Sequence, residues 1–335
     1  MKAVSIKNGK GPADALFVDD NVPDPPPPTG NRILVRIRAF GLNKMDIMQR
    51  EDRYPYPLLP ESGNILGVEF SGVVEEKGPE CSDSFQIGDR VFGLAYGGAY
   101  AQKIVVSEKM LLPLPPSLSF EEAAGAPETF FTAIQAIHLV GNLQPGQTVL
   151  IHAGASGVGQ SAIQVAKFGG ASTIITTAGS DEKCQLCRTL GADIAVNYRT
   201  EDFAEVVRTA TKGRGVDLIV DLVGQNYWHR NTACAAMDGR IVLVAALSGS
   251  KIADFDLRAL LNKRLWVQAT TLRTRDAAYQ ARVRDFFAER ILPHLSKGEM
   301  RTVVDKVYDW RDVSEAHKRL ESNAHAGKII CRVTE

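Results

Sequence analysis

The sequence predicts an α/β protein, a doubly wound parallel sheet of Rossmann type joined to a β-rich domain. Three observations carry this. From about Glu128, short β-branched runs alternate with helical runs, the pattern of a parallel sheet covered by helices on both faces. A glycine-rich turn, His152-Ala-Gly-Ala-Ser-Gly-Val-Gly159, joins the first of those strands to its helix. Ahead of it, roughly the first 125 residues show period-two alternation and frequent glycine. The 335 residues suit two domains at about 150 residues each.

In the first part, Ile33, Val35, Ile37 and Ala39 alternate with Arg32, Leu34, Arg36 and Arg38, which is a half-buried strand. The proline run at 22–28 reads as a stiff connector between two strands of one domain, rather than a docking segment for a proline-reading module. Glycines at 63, 67, 72, 78, 88, 93, 97 and 98 divide the next stretch into short pieces. In the second part, strands are expected at 148–152, 172–177, 192–197, 216–223 and 240–247. Helices are expected at 158–168, 181–190 and 201–211, each closed by glycine. Beyond about Leu265 the pattern mixes, with helices over 282–289 and 313–321 and a last strand over 327–333. The parallel-sheet domain is therefore placed at 125–266. The β-rich domain takes 1–124 plus 267–335, the chain returning to it at the end.

Lys+Arg and Asp+Glu are 39 each, so the chain has no excess of positive charge for nucleic acid or an anionic membrane. The apolar run at 241–247 is far short of the ~20 residues of a spanning helix. Lys2, Lys7, Lys10 and Asp14 argue against a signal peptide. The five cysteines are scattered, which suits a reducing compartment, and a cytoplasmic protein is expected. Cys184 and Cys187 stand three apart in a helix with no second pair, so they read as buried core. The six histidines form no ligand-spaced cluster, and His152 reads as strand-end packing.

The glycine turn lets a pyrophosphate approach a helix N-terminus, where free N–H groups and the helix dipole favour negative charge. Ser156, Gly157, Val158 and Gly159 are the candidate contacts. The next strand ends in Thr177-Ala-Gly-Ser180, without the Asp or Glu that meets a free ribose 2′-hydroxyl. Asp181, one step on, is read as a helix cap. Gly179, Ser180, Lys183 and Tyr198 instead suit a 2′-phosphate, so NADPH is the expected cofactor.

Several stretches resemble one family: Gly41-Leu-Asn-Lys-Met-Asp46, Gly67-Val-Glu-Phe-Ser-Gly72, Gly88-Asp-Arg-Val91, Ala153 to Gly159, and Ala326-Gly-Lys-Ile329. The chain resembles the zinc-free medium-chain dehydrogenases/reductases, the quinone oxidoreductases of zeta-crystallin type, over nearly its whole length. Met48-Gln-Arg50, Asn64-Ile-Leu-Gly67, Tyr227-Trp228 and Glu315-Ala-His-Lys318 further resemble the tumour-suppressor-inducible subgroup. The resemblance implies a GroES-like β-rich domain beside the Rossmann domain, with the site in the cleft between them. It implies NADPH-dependent hydride transfer to a quinone, and a homodimer or dimer of dimers. The 240–247 strand is read as the sheet edge that would pair.

Zinc members of the superfamily place Cys where this chain has Asn43 and His where it has Val68. They also carry four cysteines near 95–115, and this chain has none between Cys81 and Cys184. No metal is expected. Alcohol oxidation needs a Lewis acid or base, whereas a quinone or enone spreads the added charge through conjugation, so a hydrogen-bond donor suffices. The resemblance offers Tyr54 as that donor, with Tyr56 as a competing choice, and Asn43 as a contact to substrate or cofactor. Asp46 is read as a helix-start cap. Thr132, Ala246, Leu247, Leu272, Arg273 and Asn323 are implied around the cofactor. Two alternatives stand beside quinone reduction: an enone or enal reductase using the same site, and a cofactor-gated binding protein with little turnover.

Overall fold

The structure is a computed structural model that describes residues 1–56 and 62–334. The chain gathers into two compact units, one of Met1–Glu128 with the chain from Ala277 onward, the other of Thr129–Asp276.

The first unit opens with β1 (Ala3–Ile6) antiparallel to β2 (Leu16–Asp19). The proline run follows without regular structure and leads into β3 (Arg32–Gly41). Ile33, Val35, Ile37 and Ala39 are all buried, as their alternation predicts. Then come α1 (Lys44–Arg50), β4 (Glu69–Lys77), β5 (Arg90–Leu94), β6 (Lys103–Ser107), β7 (Leu111–Pro113) and α2 (Phe120–Ala124). Ser119 and Glu122 form a capping box at the start of α2, each side chain taking an orphan N–H of the other.

Helix α3 (Pro127–Ile134) carries the chain into the second unit. Its strands are β8 (Thr148–Ile151), β9 (Thr173–Ala178), β10 (Ile194–Asn197), β11 (Val216–Asp221), β12 (Ala235–Leu243) and β13 (Trp266–Ala269). The helices are α4 (Gly157–Phe168), α5 (Asp181–Thr189), α6 (Phe203–Ala210), α7 (Trp228–Cys234) and α8 (Arg258–Lys263). All strand pairs are parallel, in the order β10-β9-β8-β11-β12-β13. The order reverses between β8 and β11, the switch point where ligands of such sheets bind. Leu150, Ile175, Phe203, Ile219 and Ile241 fill the core. Cys184 and Cys187 are also buried, and burial pushes the Cys187 thiol up to about 12.

Two expectations are corrected here. The strand expected at 240–247 is β12, which starts at Ala235 and stops at Leu243. The strand carries Asp238-Gly239 as a bulge against β11, with Asp238 at φ +60°. Nor is β12 the sheet edge. Strand β13 pairs outside it, Ile241 opposite Val267. All four β13 residues are exposed, so the segment lacks the apolar alternation that marks a strand. The expected boundary at 266 therefore falls at the start of a strand of the parallel sheet.

The chain returns to the first unit through α9 (Ala277–Phe286), a wide helical turn at Phe287–Ile291, α10 (Leu292–Ser296), β14 (Val304–Asp309), α11 (Val313–Glu321) and β15 (Lys328–Arg332). Strand β15 pairs antiparallel with β3, Ile330 opposite Gly41. The larger sheet has the order β14-β15-β3-β4-β5-β7, with β6 also on β3. Its core includes Phe40, Phe70, Tyr100 and Trp310. Among the described residues no helix is long and apolar enough to cross a membrane.

Candidate active site

In the second unit the glycine turn leaves the carboxyl end of β8. Ala153 takes a left-handed φ of +52°. A Cβ on Gly154 would overlap the Thr176 hydroxyl, and one on Gly159 would overlap the Ala153 carbonyl, so only glycine fits either place. Ser156 caps α4, its Oγ accepting from the Gly159 N–H at 3.1 Å. The N–H groups of Gly157 and Val158 point out of the first turn, where a helix supplies no acceptor. Ser156, Gly157 and Val158 are half-buried. The result is a partly exposed, electropositive helix start.

A second corner forms at the ends of β9 and β10. The Tyr198 N–H donates to the Ala178 carbonyl at 3.1 Å. A Cβ on Gly179 would lie 2.7 Å from the Tyr198 hydroxyl. The helix cap is Ser180 rather than Asp181: Ser180 Oγ accepts from the Lys183 N–H, while Asp181 accepts from Asn197 Nδ2 at 2.9 Å. Gly179, Ser180, Lys183 and Tyr198 thus share one corner, and no carboxylate stands at the strand end itself.

Beneath the turn His152 is fully buried. Asn231 donates through Nδ2 to Asp221 and so faces His152 Nε2 with its oxygen at 2.7 Å. Nε2 therefore carries the proton, and Nδ1 accepts from the Thr177 hydroxyl at 3.1 Å. Burial takes His152 down to about 4, so it is neutral and structural. Because the strands are parallel, Ala246-Leu247 after β12 and Leu272-Arg273 after β13 leave the same end of the sheet as the glycine turn. Ala246 and Leu247 are exposed, Leu272 is buried, and Thr132 is half-buried on α3.

In the first unit Asn43 caps α1 and its backbone N–H donates to Asp46 Oδ2 at 2.8 Å. Its side-chain Nδ2 donates to Glu69 Oε1 at 2.9 Å, and its Oδ1 accepts from Lys328 Nζ at 2.8 Å. Lys328 and Glu69 pair at 2.6 Å with side chains 5% and 0% exposed. Lys328 also donates to the Leu42 carbonyl, and Glu69 Oε2 accepts from the Glu128 N–H. Gly41 must be glycine, since a Cβ would overlap the Glu69 carboxylate.

Asp46 does more than cap. It is fully buried, accepts from the Tyr100 hydroxyl at 3.0 Å, and is pushed up to about 7 by burial. Arg50 donates to His317 Nδ1 at 3.0 Å, which leaves the Nε2–H to face Tyr100 at 3.2 Å. Burial, with the Arg50 charge, holds His317 at about 3. Arg50 itself is buried and paired with Glu51 and Glu321. Tyr54 is half-buried and meets Tyr56 edge-on, ring centroids 5.6 Å apart. Asn323 is exposed at φ +55° just beyond α11.

Comparison with known proteins gives the family. Residues 29–116 match the alcohol dehydrogenase GroES-like domain, and residues 157–289 match the zinc-binding dehydrogenase family. A quinone oxidoreductase-like protein 2 of Bos taurus is 31% identical over 322 residues, covering 94% of this chain and 88% of that protein. A 2-haloacrylate reductase of a Burkholderia species is 31% identical over 338 residues, covering 98% of each. The chain belongs to the medium-chain dehydrogenase/reductase family. As a medium-chain dehydrogenase/reductase it is an oxidoreductase, with a GroES-like unit and a Rossmann unit. The Escherichia coli quinone oxidoreductase, solved in complex with NADPH, superposes with a TM-score of 0.86 at 29% identity, covering 99% of this chain and 100% of that one.

The matched model's name implies zinc, and the residues here do not fit it. Val68 offers no donor atom and is buried. The Asn43 amide is already engaged by an ammonium and a carboxylate. Among the described residues no three His, Cys, Asp or Glu side chains are grouped to hold a metal ion. The buried set Asp46, Tyr100, His317 and Arg50, and the Lys328–Glu69 pair, escape sequence reading except for Asp46. Met48-Gln-Arg50, Glu315-Ala-His-Lys318 and Ala326-Gly-Lys-Ile329 were visible as family stretches, but nothing local joins them.

Proposed function

We propose that this medium-chain dehydrogenase/reductase is an NADPH-dependent reductase of conjugated carbonyl compounds, with quinones as its first substrate class. The observation that carries it is the Asn43 amide, a hydrogen-bond donor held between Glu69 and Lys328, at the position where the resemblance puts the metal-binding thiolate of zinc members. Such a site suits an acceptor whose added charge is delocalised.

NADPH, when bound, supplies the hydride. Gly157 and Val158 offer N–H groups to its pyrophosphate at the start of α4, beside the Ser156 cap and Gly159. Gly179, Ser180, Lys183 and Tyr198 take the 2′-phosphate, Lys183 supplying charge and the hydroxyls supplying hydrogen bonds. Thr132, Ala246, Leu247, Leu272 and Arg273 would line the nicotinamide from the Rossmann unit, and Asn323 is the further contact that the family resemblance implies. Asn43 donates to the oxygen that gains charge, and Tyr54 provides the proton that completes a two-electron reduction. The NADPH carried by the bacterial quinone oxidoreductase supports the cofactor choice. The haloacrylate reductase, matched end to end, favours a second reading with a conjugated C=C as acceptor.

The proposal extends to a homodimer formed through the Rossmann sheet. Of its two edges, β10 and β13, the one that carries exposed apolar residues in the strand itself is β13, where Trp266 is 63% exposed, with Leu247 and Leu261 also exposed. An unpaired strand edge of this kind invites a second copy. Light scattering should give twice the chain mass, and a monomer mass at micromolar concentration removes this part.

Steady-state NADPH oxidation with an ortho-quinone, a para-quinone, an enone and a simple ketone, the oxidised partner of a secondary alcohol, tests the reading. Turnover is expected with the quinones or the enone and none with the simple ketone of the alcohol couple. Reduction of that ketone alone overturns it.

A further inference from the structure

We propose that Lys328 and Glu69 are positioning residues that lock the side-chain amide of Asn43 in one orientation, so that its second Nδ2–H is the group offered to the reacting carbonyl. The proposal rests on the reductase reading above and adds the residues that orient its donor.

An asparagine amide has two nearly isosteric ends, and only its partners decide which end faces which way. Here the partners leave no choice. Lys328 can only donate, and it meets Oδ1 at 2.8 Å. Glu69 accepts from Nδ2 at 2.9 Å. Turning the amide over would set its oxygen against the carboxylate and its N–H against the ammonium. Both contacts would then be repulsive, in a place with almost no solvent to screen them.

The lock is itself held. Lys328 is anchored on the Leu42 carbonyl at 2.7 Å, one residue before Asn43. Glu69 is fixed at its other oxygen by the Glu128 N–H at 2.9 Å. The backbone end of Asn43 is held by Asp46, whose carboxylate is in turn braced by Tyr100. Oδ1 also closes the capping box with the Asp46 backbone, Nδ2 keeps a second hydrogen, and Asn43 remains half-buried rather than sealed. The ammonium on Oδ1 draws electron density from the amide and makes the remaining N–H a stronger donor. That polarity matches an oxygen gaining negative charge and mismatches one losing it.

The test compares Lys328→Met/Glu69→Gln with wild type. The double variant keeps the volume and leaves no lone buried charge, so it should fold, which circular dichroism and the thermal midpoint verify. Lys328→Arg, which retains the positive end, is the conservative rescue. In the double variant kcat with an ortho-quinone should fall by about 10²-fold, the cost of a misplaced reacting group, with NADPH Kd within about twofold of wild type. Adding Asn43→Ala to the double variant should cost nothing more, because the pair acts through that amide. Lys328→Arg should recover most of kcat. Wild-type kcat in the folded double variant, or a further full loss on adding Asn43→Ala, overturns the lock.

A second readout does not depend on turnover. In wild type the Asn43 side-chain NH₂ should give two well-separated proton resonances with slow exchange, collapsing toward free-amide values in the double variant. If wild type reduces neither quinone nor enone, the reductase reading fails while the resonances still decide the lock. Unchanged resonances in the double variant overturn the lock even where turnover is normal.

Discussion

The two units stabilise their buried polar groups by different means. In the Rossmann unit His152, Thr177 and Asn231 are neutral and hand hydrogen bonds from strand end to strand end. Their one carboxylate, Asp221, is satisfied by the backbone N–H groups of Val223 and Gly224. The GroES-like unit buries full charges: Arg50 against Glu51 and Glu321, and Lys328 against Glu69. A neutral network can lose one member for the price of a hydrogen bond. A buried ion pair that loses a partner leaves a charge with nothing to solvate it. The Rossmann unit therefore presents backbone dipoles to a ligand, and the GroES-like unit holds a polarised side chain.

The largest expected effect follows from that difference. Lys328→Met should lower stability by about 3–5 kcal/mol, leaving the Glu69 carboxylate buried alone. Thr177→Val, which removes a neutral partner of His152, should cost about 1–3 kcal/mol. Denaturant midpoints on both variants make the comparison, and equal losses would break it.

Kinetic variants sharpen it further by separating chemistry from cofactor. Tyr54→Phe should lower kcat and kcat/KM together by about 10²-fold and leave NADPH affinity unchanged. If Tyr54 only lines the site, Phe is silent and Tyr54→Ala raises KM. Lys183→Ala should weaken NADPH by tenfold or more, since a charge-assisted bond is worth about 1.5–3 kcal/mol, and leave NADH nearly unaffected. Binding titrations with both cofactors decide it. Equal losses would detach Lys183 from the 2′-phosphate.

The pH dependence separates the groups pH unit by pH unit. Asp46 is at about 7 in the folded chain and near 3.8 unfolded, so between those values only the native state holds its proton. Its stabilising contribution is full below 3.8 and is lost as pH rises through 7. The stability of wild type relative to Asp46→Asn should fall by about 1.4 kcal/mol per pH unit across that window. His317 runs the other way. At about 3 folded and 6.5 unfolded, its contribution is full above 6.5 and is lost as pH falls. Wild type relative to His317→Gln should therefore lose stability on acidification. Urea midpoints at several pH values check both signs, and parallel slopes would contradict them.

The Rossmann site was legible because its parts are close in sequence. The glycine turn, its helix and the strand end at Thr177–Ser180 lie within one βαβ unit, where spacing carries geometry. The candidate site of the other unit was legible only as Tyr54, Asn43 and Asp46, without the residues that hold them. Lys328 lies 285 residues from Asn43 and His317 lies 267 residues from Arg50, and no periodicity links such distances. Strand β13 was missed because its pairing with β12, rather than its own exposed residues, makes it a strand. The bulge at Asp238-Gly239 hid the start of β12, since an Asp-Gly pair reads locally as a turn.

The reductase proposal meets its most direct test in a single turnover. The chain, loaded with less than one equivalent of NADPH under anaerobic conditions, is mixed with an ortho-quinone in one experiment and an enone in another, and nicotinamide absorbance is followed. Loss of one NADPH per acceptor reduced is expected, with a rate that falls in Asn43→Ala and in Tyr54→Phe. NADPH that binds and stays unoxidised with both acceptors would contradict it, and would make the chain a cofactor-gated binding protein.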